Sequence, residues 1–133
     1  MSSPRVIEEL DLLRKSYSNL KFVEEGLWIC IPDYSLPKES QWNRTSTDVV
    51  FQIPVAYPGT PPYGFYVLSG IKCVNVQPDN YKDPADQQPP FEGQWGIFSW
   101  TPEGGEWKPT ENLTGTNLLN VVRGFADRFI EGK

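Results

Sequence analysis

Between Phe51 and Val67 the chain reads FQIPVAYPGTPPYGFYV, in which Pro54, Pro58, Pro61 and Pro62 separate a short apolar run from an aromatic one. Each proline fixes its own φ and pushes the residue before it toward extended backbone, so this segment is neither a helix nor the middle of a central strand. What it can be is a pre-ordered elbow between two neighbouring strands, one that loses less entropy on folding than a flexible connection of equal length. Gly59 and Gly64 relieve the steric demand at its corners. Its Tyr/Pro surface also suits docking of a partner segment, and the two roles are compatible.

The flanking sequence supplies the elements that the elbow joins. Ser3 before Pro4 is a helix N-cap with proline at the first helical position. Val6, Ile7, Leu10, Leu13, Tyr17 and Leu20 then recur mostly at three- and four-residue steps, which predicts an amphipathic helix of about four turns. Glu8, Glu9, Arg14 and Lys15 are expected on its solvated side, or else as a partner-binding face. Phe22 to Ile31 is rich in strand formers, with Gly26 as a bulge or turn, whereas the polar stretch Asp33 to Thr47 reads as a loop with at most a frayed strand edge. Asp48 to Ile53 and Phe65 to Leu68 are strands on either side of the elbow, and Ile71 to Val76 could prolong the second.

Gln77 to Glu92, dense in Pro, Asn, Asp and Gln, is expected to be an ordered flap. Gly93 to Trp100 is aromatic and expected to be buried; Thr101 to Gly105 reads as a turn. Beyond Trp107-Lys108-Pro109, a helix capped near Thr114 or Thr116 buries Leu118, Leu119, Val122, Phe125 and Phe129, despite the cost of Gly124. The expected architecture is α+β: one domain over residues 1–133, with an N-terminal helix packed on an antiparallel meander, the proline elbow, the flap and a closing helix.

Composition excludes several kinds of chemistry. The chain has no histidine, which removes His-based triads, His acid–base catalysis and His-containing zinc sites. Two cysteines are too few for a four-thiolate zinc site, so neither a metal nor a cofactor is expected. A net charge of −5 argues against general binding to nucleic acid or to anionic membrane, although Arg5, Arg14, Lys15 and Lys21 leave room for a local basic patch. Glu8, Glu9 and Asp11 interrupt the early apolar residues, unlike the core of a signal peptide, and no run approaches membrane-spanning length. The cytoplasm is the expected compartment, with Cys30 and Cys73 as free thiols.

The order of these motifs resembles the ubiquitin-conjugating-enzyme fold, whose mark is a Tyr-Pro…Pro-Pro elbow between later strands. Tyr57-Pro58 and Pro61-Pro62 stand at those places, and Trp107-x-Pro109 with Leu113-Thr114 looks like a stretched form of the family's Trp-x-Pro lead-in to a helix. Within that superfamily the chain is most similar to the prokaryotic conjugating-enzyme-like family E. There an early strand meets a proline turn followed by tyrosine, as in Ile31-Pro32-Asp33-Tyr34, and an aromatic segment ends in serine, as in Trp95 to Ser99.

In catalytic members of the superfamily a cysteine after the flap carries the modifier as a thioester, and the asparagine of an upstream His-Pro-Asn stabilises the oxyanion. On this chain the corresponding stretch is Gly93-Gln94-Trp95-Gly96-Ile97, with Gly96 at roughly the cysteine's place. The upstream echo is Gln77-Pro78-Asp79, whose acid would repel developing negative charge. Cys30 lies within a strand apolar on both faces and reads as a packed, inert thiol.

Cys73 is the remaining catalytic candidate, with Lys72 placed to favour a thiolate and Asn75 or Asn80 to donate to an oxyanion. Lys72 and Cys73 point to opposite faces of a strand, however. Glu103, Glu106 and Glu111 read as solvated loop acids. Trp95, Phe98, Trp100 and Trp107 read as core, or as a binding anchor if one ring is exposed.

The resemblance implies a bacterial ubiquitin-like modification system. Its partners would be a ubiquitin-like protein, an adenylating activating enzyme and a JAB-type deconjugating peptidase, with antiviral defence the programme expected of such systems. It places partner contacts on the first helix and the elbow, here Arg5, Glu9, Lys15, Tyr57, Pro58, Pro61, Pro62 and Tyr63. Three readings stay open at this point: a binding protein that has lost the usual thiol, a transferase using Cys73, and an unrelated protein-binding module.

Overall fold

The computed structural model describes residues 4–37, 41–57, 59–100, 108–109, 115 and 117–131. Ser3, Pro58, Thr101 to Trp107, Glu111, Leu113, Thr114 and Thr116, all named above, lie outside the described residues. The elements are α1 (Pro4–Ser16), β1 (Lys21–Val23), β2 (Trp28–Ser35), β3 (Ser46–Gln52), β4 (Phe65–Leu68), β5 (Tyr81–Lys82), β6 (Trp95–Phe98) and α2 (Leu118–Glu131). The strands form one antiparallel sheet in the order β1-β2-β3-β4-β6-β5.

Alternation along the strands divides the interior into two layers. Ile29, Ile31, Val49, Phe51, Phe65, Val67 and Phe98 face both helices, meeting Val6, Leu10 and Leu13 of α1 and Val121, Val122, Phe125 and Phe129 of α2. Phe65 and Phe125 stack at 4.3 Å between ring centroids in the middle of this layer. The alternate residues Trp28, Cys30, Val50, Tyr66 and Trp95 pack on the other face, where Ala85 and Phe91 of the flap cover them. The flap is thus an ordered lid on the sheet's far face, and its apolar residues explain why that face is not left to solvent.

Several expectations from the sequence need correction. The first helix stops at Ser16 and does not run on to Leu20. The stretch read as a loop from Asp33 contributes the end of β2, because proline is tolerated at an irregularity in pairing, and the register shifts between Ile31 and Tyr34. Ile71 to Val76 does not prolong β4; it closes into a tight turn.

Glu9 is not on the solvated side of α1 but 0% exposed. At the start of α2, Asn117 is the cap, its Oδ1 accepting the Leu119 and Asn120 N–H groups at 3.0 and 3.4 Å. Gly124 has a packing reason: a Cβ there would come within 3.1 Å of the Trp100 ring, which lies against the helix.

Candidate functional site

The elbow is tied to both helices through one buried side chain. Tyr57 O–H donates to Glu9 Oε1 at 2.5 Å, the Leu118 N–H donates to the same oxygen at 2.6 Å, and Arg5 Nε donates to Oε2 at 2.5 Å. Arg5 and Glu9 are one helical turn apart, and Glu9 lies beside the stripe of Val6, Leu10 and Leu13, so it enters the interior as that face closes. Its negative charge stands at the N-terminus of α2, where the helix dipole is favourable.

Burial, reinforced by the neighbouring carboxylate, pushes the Tyr57 hydroxyl well above its ordinary range. The hydrogen bond to Glu9 likewise raises Arg5 against the opposing effect of burial. One carboxylate therefore fixes where the elbow sits on α1 and α2.

Outward from that clamp, Val55 is fully exposed and Tyr63 is 68% exposed. The sequence-predicted contacts divide accordingly. Tyr63 and Lys15 are on the surface, Arg5, Tyr57 and Pro61 are half-buried, and Pro58 lies outside the described residues. Glu9 and Pro62 are buried, so neither can serve as a surface contact.

Gly96, which the resemblance places roughly at the nucleophile's position, lies in the sheet itself. Gly96 sits in β6, opposite Val67 of β4, on the face turned toward the helices. Tyr81 of β5 pairs with Phe98 and leans across the glycine, so that a Cβ on residue 96 would fall 2.1 Å from the Tyr81 Oη and 2.4 Å from Cζ. An aromatic ring laid over a cross-strand glycine is a recurrent device that fills the missing side chain's volume.

Tyr81 is held there by its hydrogen bond to Asp83 Oδ2 at 2.8 Å. Asp83 also accepts from the Ser69 hydroxyl at 2.8 Å and the Gly70 N–H at 2.7 Å. Burial works against the charged carboxylate, but these bonds and nearby Arg44 outweigh it and hold Asp83 below the usual carboxylate range.

Neither cysteine lies on the surface. Cys73 is 5% exposed and belongs to the main core, while Lys72 beside it is exposed. Asn75 and Asn80, the other groups considered near it, are exposed residues with left-handed backbone. Cys30 packs against Trp28 and Trp95 under the flap, and burial pushes its thiol up to about 11. Of the upstream echo, Pro78 is buried, and Asp79 contributes its main-chain carbonyl, which accepts from Arg128 Nη2 at 2.7 Å.

Tyr81, Asp83 and Glu9 escaped sequence reasoning as organisers of these regions. A glycine within an aromatic strand was the available signal for Tyr81. Among the described residues no helix is long and apolar enough to cross a membrane.

An antiparallel sheet flanked by N- and C-terminal helices, with this elbow before its fourth strand, defines a ubiquitin-conjugating-enzyme-like α+β fold. The family model for prokaryotic E2 family E matches residues 10–127, and the chain belongs to that family. No curated protein and no solved structure matches it significantly.

Proposed function

We propose that the chain is a conjugating-enzyme-like protein of a prokaryotic ubiquitin-like modification system that engages its partners without carrying the modifier as a thioester. The observation that carries this reading is the packing at Gly96, where any side chain at the aligned nucleophile position overlaps Tyr81. The burial of both thiols supports it, because a transferred thioester needs an accessible thiolate. The partners proposed are a ubiquitin-like modifier and an adenylating activating enzyme, with a JAB-type peptidase acting on the same products. The proposed compartment is the cytoplasm. Cys73 as an acceptor thiol is the competing reading, and it requires the segment around that residue to open.

The exposed part of the elbow, Val55 and Tyr63, together with Lys15 on α1, is the proposed contact surface. The Glu9 clamp supports that assignment by holding the elbow and α1 in a fixed relation, which lowers the ordering cost of binding. Replacing Val55 and Tyr63 together by serine is expected to weaken affinity for the activating enzyme or the modifier about 10-fold, as loss of an aromatic anchor does. The melting midpoint should stay where it is, since both side chains are solvated. Isothermal titration of purified proteins measures this, and unchanged affinity would remove the elbow from the interface.

A further inference from the structure

The turn at Cys73 to Val76 has an unusual composition. Cys73 and Val76 exchange main-chain hydrogen bonds of 3.0 and 3.1 Å around Val74 and Asn75, whose φ values are +53° and +60°. This is the mirror-image two-residue hairpin turn that favours Asn-Gly. A β-branched residue is poorly suited to the first of those positions, because its Cβ crowds the neighbouring carbonyl. Burial does not compensate: Val74 is 55% exposed and Val76 61%.

The turn is nonetheless rigidly mounted. The Val74 N–H donates to the Gln41 carbonyl at 3.0 Å and the Asn43 N–H to the Lys72 carbonyl at 2.9 Å. The Asn43 side chain accepts from the Lys72 N–H and donates to the Gly70 carbonyl, both at 2.9 Å. Cys73 also bridges to Trp42, which is anchored by its indole N–H on the Phe129 carbonyl at 2.9 Å.

The tip carries positive charge in a protein of net charge −5: residues 41–47 and 69–78 include Arg44 and Lys72, with Asp48 and Asp79 the next residue after each segment. Asp83, which reaches Ser69 and Gly70 from the flap, is occupied by three hydrogen bonds and lies beside Arg44.

We propose that this tip is a docking wedge, Val74 and Val76 entering an apolar hollow rimmed by carboxylates on a partner protein of the modification system. Lys72 faces the rim, and a strained but immobilised tip is the form in which the least ordering cost falls on association. The inference rests on the functional reading above and adds a second face to it, apart in sequence from the elbow. A lysine-bearing, apolar tip on an acidic protein fits an acidic partner surface by charge complementarity.

The test is isothermal titration of the full chain against the activating enzyme and against the ubiquitin-like modifier, at low and high salt. Val74→Asn with Asn75→Gly installs the preferred turn and removes one valine. It should raise the melting midpoint by about 3 °C and weaken binding about 10-fold. Val76→Thr leaves the left-handed positions alone and should weaken binding as well. Lys72→Glu should weaken it more at low salt than at high.

Binding unchanged in both tip variants overturns the wedge while leaving the functional reading in place. Loss in the turn variant alone, or loss with a lowered midpoint, assigns the effect to turn geometry and also overturns it. No binding of either protein by the unaltered chain overturns both readings.

Discussion

Replacing Glu9 by alanine is expected to lower the unfolding free energy by about 3–5 kcal/mol, the cost of removing one partner from a buried charged pair. The size follows from what is left behind. Arg5 loses its carboxylate, and the Tyr57 hydroxyl and the Leu118 N–H lose a shared acceptor. Tyr57→Phe, which removes one of those donors and leaves the carboxylate in place, should cost only about 1–2 kcal/mol.

Urea unfolding of the two variants and the parent gives both numbers. A solvated glutamate of the kind the helix pattern suggested would change stability by no more than about 0.5 kcal/mol, so the two pictures are well separated. Because the clamp joins α1, the elbow and α2, Glu9→Ala should also speed hydrogen exchange in the first turn of α2 and in the elbow together.

The second large effect is expected at Gly96. Alanine there forces Tyr81 to swing off the sheet, breaking its bond to Asp83 and its contact with Phe98, whose ring centroid lies 4.8 Å away. Overpacking and the lost hydrogen bond together amount to about 2–4 kcal/mol. Tyr81→Ala alone is also destabilising, but once the ring is gone a methyl group at residue 96 meets nothing costly. The double variant should therefore be no less stable than Tyr81→Ala, a coupling of about 2 kcal/mol in a double-mutant cycle. Additive losses would mean that the ring does not fill the glycine's space. By the same reasoning Gly96→Cys on its own yields a strained core and not a working thiol.

Much of this architecture was legible because its signals are local. The elbow prolines, the helical spacing from Val6 to Leu13 and the apolar face from Leu118 to Phe129 each report on a few neighbouring residues, and each element formed.

What escaped depends on residues distant in sequence. Glu9 falls three residues after Val6 and four before Leu13, so the helical period itself carried a hint of burial, but its charge argued for solvent. Nothing near Glu9 announces that Tyr57 and Leu118 will supply donors. Trp42 stood alone in a polar stretch, yet it is buried against Phe98 and Phe129, which come from β6 and α2. Pro32 read as a turn following a strand, whereas here it sits within β2 where pairing is irregular.

We propose that this family member works by contact and not by carrying a thioester. The most direct test is a loading reaction of the full chain with the cognate activating enzyme, ubiquitin-like modifier and ATP, resolved with and without reductant, beside Cys73→Ala and Cys30→Ala. No reductant-sensitive adduct is expected on the chain under conditions in which the activating enzyme is itself charged. An adduct that reductant removes, and that disappears only in Cys73→Ala, would contradict it and make the protein a transferase with a relocated thiol.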